Sequence, residues 1–238
     1  GDAGLAPLTN AYVDARLADT IMIVGANPYE TQSNYFLNHM VPNLNGDSEE
    51  LKAKTFRGEP TTSARMIIVD PRRTMSVAAA EAAGGKENVL HLQIEPGTDI
   101  VLLNAISRVV LDKRWHDIAF IRQRTEWQTF EAYQRSSLGV DQSLDDVVNE
   151  AAAHCGVGAA DIVKAAEWIA EPKKGGARRR TLFHYEKGLI WGLKNYENIA
   201  AIVDLALMTG NVGKPGTGCS RLGGHQEGYV RPPYPGGR

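Results

Sequence analysis

Short apolar runs alternate with stretches of helical periodicity through the first half of the chain. Thr20-Ile-Met-Ile-Val-Gly25, Arg65-Met-Ile-Ile-Val-Asp70 and Val89-Leu-His-Leu-Gln93 are too short for helices and apolar at successive positions. They predict strands buried on both faces, as in a parallel sheet. Between the first two, residues 31–40 predict a helix with Thr31 as its N-cap. Thr74 to Ala83 predicts an Ala-rich helix that stops at Gly84-Gly85, after Pro71 ends the second strand. Pro96-Gly-Thr-Asp99 then opens a strongly apolar helix to about Asp112, capped by Thr98 or Asp99, where acidic charge is favourable. Three rounds of strand and helix predict an α/β fold: a parallel sheet flanked by helices.

From His116 to about Ala170 the periodicity is helical with short breaks, and Glu171-Pro172 ends its last amphipathic segment. Lys173 to Arg180 predicts a solvated basic loop. Thr181-Leu-Phe-His-Tyr185 predicts a fourth strand, and Asn198 to Met208 a helix ending at Gly210, a C′ glycine. Residues 41–63 are polar and long for a connection, which predicts an irregular surface insertion. No internal repeat is visible, and residues 1–238 are taken as one domain.

The totals alter this picture little. The chain has 238 residues, 43% hydrophobic and 23% charged, with a formal net charge of −2; this is an ordinary globular composition with no pull toward nucleic acid. No apolar run reaches the roughly 18 residues of a spanning helix, so no membrane span is expected. The two cysteines, Cys155 and Cys219, are far apart; they form no cluster motif and predict no metal or iron–sulfur ligation by this segment. The opening without Met and the close on Pro232-Pro-Tyr-Pro-Gly-Gly-Arg238 read as an internal piece of a longer protein.

Chemistry concentrates where the predicted strands end, since ligands of an open parallel sheet bind beyond the carboxyl ends of its strands. After the first strand come Gly25, Asn27, Pro28 and Glu30: a glycine that permits close backbone approach, then a helix start that favours an anion. The Gly-x-Gly-x-x-Gly fingerprint is absent, which removes the main support for a nicotinamide dinucleotide. After the second strand, Asp70 suits ribose hydroxyls or a base edge, while Arg72 and Arg73 suit phosphate; a plain turn with solvated arginines explains them equally well. After the third, Gly97 precedes Asp99, either a simple helix cap or an acceptor for the paired N–H groups of a guanine edge. Seven of the twenty-two residues from Gly210 to Arg231 are glycine, interleaved with Arg221, His225, Gln226 and Glu227. That mixture predicts the floor of a site, from Gly210 to the end of the chain, rather than a flexible tail.

These motifs run in an order that resembles the molybdopterin oxidoreductases of the dimethyl-sulfoxide-reductase type: Asn27-Pro28, Val69-Asp70-Pro71-Arg72-Arg73-Thr74, Pro96-Gly97-Thr98-Asp99 and Leu207-Met-Thr-Gly210-Asn211-Val-Gly213-Lys-Pro215-Gly216-Thr-Gly218. The resemblance spans nearly the whole chain. It implies a Rossmann-like domain that binds one of the two guanine dinucleotides of a molybdenum bis-molybdopterin guanine dinucleotide cofactor. Asp70 and Asp99 would lie at the nucleoside, and Gly25, Asn27 and Glu30 along the pyrophosphate and pterin. Lys187, Gly188 and the stretch holding Gly224 and Gln226 would approach a pterin. The ending Cys219-Ser-Arg221-Leu-Gly-Gly-His225-Gln-Glu-Gly-Tyr-Val-Arg231 is similar to the catalytic subunits of the arsenite-oxidising branch of that family, where an Arg and a His four apart help bind substrate; they match Arg221 and His225.

The resemblance further implies two-electron oxidation of arsenite to arsenate. Electrons would leave through an iron–sulfur cluster ligated elsewhere in the subunit, a Rieske-type small subunit, and a cytochrome or similar acceptor, in the periplasm. No metal ligand is expected in this segment, which alone should be inactive. His225 has a second reading, as a loop histidine touching only the pterin. Two rival functions remain open on sequence alone: a relative acting on formate or another oxyanion, and a non-catalytic nucleotide-binding module.

Overall fold

A computed structural model describes residues 11–192 and 194–222. Five strands, β1 (Thr20–Val24), β2 (Arg65–Val69), β3 (Val89–Leu92), β4 (Thr181–Tyr185) and β5 (Gly218–Arg221), form one sheet in the order β3-β2-β1-β4-β5. All pairings are parallel. The strands end in register: Val24 lies beside Val69 and Tyr185, Val69 beside Leu92, and Tyr185 beside Arg221. Strand order reverses between β1 and β4, so the topological switch point falls at Gly25 and Glu186.

The longer helices are α1 (Glu49–Thr55), α2 (Met75–Gly84), α3 (Asp99–Asp112), α4 (Ile118–Arg124), α5 (Trp127–Ser137), α6 (Leu144–Cys155), α7 (Ala159–Ala170) and α8 (Asn195–Met208). Strand period sorts the sheet's side chains between two cores. Met22, Val24, Ile67, Val69, Phe183 and Tyr185 pack with Leu102 and Ile106 of α3, Ile169 of α7 and Leu205 of α8. Ile21, Ile23, Met66, Ile68 and Leu182 pack on the other face with Phe36, Met40, Leu44 and Val77. Burial of both faces explains the unbroken apolar strands, and each fully buried Ile or Phe contributes about 1.5–3 kcal/mol.

Four local expectations are revised. Thr31 does not open a helix; it ends the turn Pro28–Thr31, with Asn27 at the N-cap position and Pro28 as first residue, where its missing N–H costs nothing. Residues 41–63 are not irregular: they carry the helical turn Val41–Leu44 and α1, with Asn43 and Lys52 buried. Lys52 is tolerated because its ammonium donates to the Thr62 carbonyl at 2.7 Å, and burial pulls its pKa down to about 8.

The basic loop 173–180 is not simply solvated. Lys173 is half-buried against Asp19 at 3.0 Å and Glu59 at 3.5 Å, while Arg180 grips both Glu59 oxygens at 2.7 Å. The hydrogen bond from Arg180 holds the Glu59 carboxyl below its ordinary range. These pairs tie the loop to the amino end of the sheet.

The glycine-rich stretch divides into two parts. α8 closes in a Schellman motif: Gly210 has φ +66°, its N–H donates to the Leu207 carbonyl at 3.0 Å, and the Asn211 N–H donates to that of Ala206 at 2.9 Å. The Asn211 side-chain oxygen then accepts the Thr181 N–H at 2.9 Å, at the start of β4. Gly216 is needed because a Cβ there would meet the Leu17 carbonyl at 2.8 Å. Residues 210–217 therefore pack at the amino end of the sheet, and β5, which the glycine content concealed, carries the chain across to the carboxyl end.

Candidate functional site

The carboxyl ends of the strands form a crest. With strands about 4.8 Å apart, four spacings from β3 to β5 make it roughly 19 Å long. Most of the described residues singled out from sequence lie along it, and the structure distributes them from one end to the other.

At the β2–β3 end, the Asp70 N–H donates to the Leu92 carbonyl at 3.2 Å, and a ring nitrogen of His91 lies 2.9 Å from the Asp70 carbonyl oxygen. Gln93 donates to the Pro71 carbonyl at 3.0 Å. This turn is thus braced from β3. One Asp70 carboxylate oxygen accepts the Arg72 N–H at 2.9 Å, whereas the Arg72 side chain is 79% exposed and only 3.9 Å from that oxygen. Arg73 is closed on Glu81 with a bidentate pair at 3.0 and 2.5 Å. Of the two arginines, Arg72 alone extends from the crest.

Asp99 begins α3, and the Thr98 side chain accepts no capping hydrogen bond but donates to the Glu95 carbonyl at 2.7 Å; the Asp99 carboxyl is met by its own backbone N–H. Asp99 is 8% exposed, and burial pushes its carboxyl above the ordinary range. No cationic side chain among the described residues answers it. Beside it, Gly97 has φ +88°, and a Cβ there would meet nothing within 4 Å, so the backbone faces open space. A buried carboxylate with no cationic partner among the described residues, next to an open glycine turn, has acceptor capacity for a group that brings its own N–H donors.

At the switch point the glycines serve each other. The Gly188 N–H donates to the Gly25 carbonyl at 3.0 Å. A Cβ on Gly25 would meet the Gly188 Cα at 2.8 Å, and one on Gly188 would meet the Gly25 Cα at 2.6 Å. Close approach of the two loops requires glycine at both positions. Asn27 is likewise committed on one side: its side-chain oxygen accepts from the Ser76 hydroxyl at 2.7 Å and the Ser76 N–H at 3.3 Å. Ser76 was missed from sequence, where it is one small residue in an Ala-rich helix. Glu30 is exposed on the same turn. Lys187 lies over the Trp191 ring at 4.8 Å, and Trp191 itself is exposed.

At the β4–β5 end stands Arg221, whose sequence-predicted place at the crest the register supplies. Its Nη2 lies 3.0 Å from Glu186 Oε1, and its Nε lies 3.2 and 3.3 Å from the two carboxylate oxygens. Glu186 is buried. Glu186 falls in the Tyr185-to-Gly188 stretch that the resemblance brings near a pterin, but its pairing with Arg221 is not visible in sequence because the partner sits on an unrecognised strand. Below the pair, buried His184 of β4 is held between Tyr35, whose hydroxyl is 3.0 Å from Nε2, and Ser220, whose carbonyl is 3.3 Å from Nδ1. Burial lowers its pKa to about 4, so the ring is neutral. His225, Gly224 and Gln226 lie outside the described residues.

Away from the crest, an apolar cavity of about 350 Å³ between α4, α5 and α8 is lined by Ile121, Phe130, Tyr133, Asp204 and Met208. Burial there pushes the Asp204 carboxyl up to about 6. The described residues contain no cluster of three or more side chains suited to hold a metal ion, and no helix long and apolar enough to cross a membrane.

With this geometry in hand, comparison with known proteins gives a consistent answer. The chain matches the model of the family described as molybdopterin oxidoreductase over residues 5–229. It belongs to that family. It is 48% identical to the arsenite oxidase subunit AioA of Herminiimonas arsenicoxydans over 236 residues, covering 99% of this chain and 27% of that protein. It is 33% identical to the iodate reductase subunit IdrA of Pseudomonas sp. (strain SCT), covering 95% of this chain and 26% of that protein. It is 25% identical to formate dehydrogenase H of Escherichia coli (strain K12), covering 93% and 26%. Among solved structures, acetylene hydratase from Pelobacter acetylenicus aligns with a TM-score of 0.51 at 16% identity, over 84% of this chain and 24% of that one, a likeness of fold. The chain thus spans about a quarter of the length of these molybdopterin oxidoreductase relatives.

Proposed function

We propose that this chain is the guanine-dinucleotide-binding part of the catalytic subunit of an arsenite oxidase. The observation that carries the reading is the 48% identity to an arsenite oxidase subunit across 99% of the chain, against 33% to an iodate reductase subunit. The crest agrees with it: a buried carboxylate without a cationic partner at one end, a guanidinium at the other, and a separation suited to an extended dinucleotide.

In this reading Asp99 and Asp70 accept hydrogen bonds from the guanosine end of a molybdenum bis-molybdopterin guanine dinucleotide, Arg72 approaches its phosphates, and Lys187 and Gly188 border the pterin. When bound, the cofactor supplies the two-electron redox change. The chain's residues bind and orient. Arg221 donates hydrogen bonds to the hydroxyl oxygens of arsenite and steadies negative charge as arsenate forms. His225 holds or moves a proton. Electrons leave through an iron–sulfur cluster ligated elsewhere in the subunit, then a Rieske-type small subunit and a cytochrome or similar acceptor, in the periplasm.

The test is turnover by the purified full-length protein with its small subunit, supplied with arsenite and an artificial electron acceptor. Arsenite-dependent reduction of the acceptor is expected. Reaction with formate or iodate but none with arsenite would contradict the reading, and a full-length protein without molybdenum after expression in a cofactor-competent host would leave only a nucleotide-binding module.

A further inference from the structure

The Arg221 guanidinium does not meet the site as a bare cation. Glu186 engages it through three contacts of 3.0–3.3 Å, and both side chains are largely buried, 16% and 11% exposed. The two residues follow one another in register, Arg221 at the end of β5 and Glu186 just beyond its neighbour Tyr185 on β4, so the pairing is built into the sheet. A partly desolvated guanidinium alone is a strong trap for oxyanions. A guanidinium paired with a carboxylate presents a dipole of nearly zero net charge, with donors on one side and an acceptor on the other.

We infer that Glu186 determines which charge state the site accepts: by neutralising Arg221 it favours an uncharged polyhydroxy acid as substrate and weakens the hold on an anionic product. The inference rests on the reading of Arg221 as facing the substrate. Arsenite at neutral pH is an uncharged trihydroxide that can donate to Glu186 and accept from Arg221. Arsenate is anionic, and the carboxylate opposes its retention.

The experiment uses the molybdenum-loaded heterodimer and the variants Glu186→Gln, Glu186→Asp and Arg221→Gln, with arsenate as the probe. Arsenate binding is measured by calorimetry on the oxidised enzyme and as a competitive inhibition constant. In Glu186→Gln, which keeps the shape and one acceptor oxygen and loses the charge, arsenate should bind about tenfold more tightly, and arsenite should lose affinity through its weakened acceptor, so the two move in opposite directions. Glu186→Asp keeps the charge and should retain weak arsenate binding.

Unchanged or weaker arsenate binding in Glu186→Gln would overturn the inference. So would loss of molybdenum from that variant, which would make Glu186 a cofactor-holding residue. If Arg221→Gln alters neither arsenite KM nor arsenate affinity, the underlying reading fails instead.

Discussion

Asp99 shows how a single residue separates binding from folding. Its carboxyl is buried, raised above its ordinary range and answered by no cation among the described residues. A carboxyl raised in the folded state stabilises at low pH and loses that contribution as pH rises through its folded value; burial disfavours its ionised form until a partner brings further donors. Asp99→Ala should therefore leave the thermal midpoint of cofactor-free protein unchanged or higher at pH 7, yet weaken cofactor binding roughly ten- to a hundredfold, the scale of losing a charge-assisted hydrogen bond worth about 1.5–3 kcal/mol. Thermal unfolding and metal analysis check the two halves, and a fall in both would make Asp99 merely structural.

The places of Asp70 and Asp99 at the carboxyl end of the sheet were legible in sequence, because Asp70 directly follows a buried apolar strand and Asp99 opens the helix that leaves the next one. The second role of Gly25 was not, because its partner Gly188 is distant in sequence and only the β1–β4 neighbourhood brings them within a hydrogen bond. The same is true of Lys173 and Arg180, whose charges looked solvated until Asp19 and Glu59 were placed beside them.

Among the elements, β5 matters most to the site and was the least visible. Gly218-Cys-Ser-Arg221 has little strand propensity, and an edge strand is specified by its neighbour more than by its own composition. Its attachment to β4 is reinforced through the neutral ring of His184, which links Tyr35 on one side to Ser220 on the other.

A histidine whose folded pKa is depressed to about 4 by burial contributes stability that is present above its unfolded value, near 6.5, and lost as pH falls toward 4. Replacing it with Gln, which can still bond both neighbours but does not titrate, should shrink the loss of thermal midpoint between pH 7 and pH 4.5 by several degrees. An acid profile parallel to that of the original protein would show that His184 does not govern the seam. β1 to β4, in contrast, declared themselves as apolar runs because both of their faces are covered.

For the whole molecule, the account reduces to one arrangement. A parallel sheet in the order β3-β2-β1-β4-β5 lines up its carboxyl ends, so that Asp70 and Asp99 stand at one end of a crest of roughly 19 Å and Arg221 with Glu186 at the other. The chain belongs to the molybdopterin oxidoreductases and spans about a quarter of the length of its relatives; in the proposed reading that crest seats an elongated cofactor and the remaining contacts come from other parts of the protein.

The most direct measurement is the structure of the full-length, molybdenum-loaded protein. The account predicts the guanine of one dinucleotide against Asp99 and Asp70, with its pterin end directed toward β4, β5 and Arg221. A dinucleotide seated at the amino end of the sheet, or laid along the crest in the reverse sense, would contradict it.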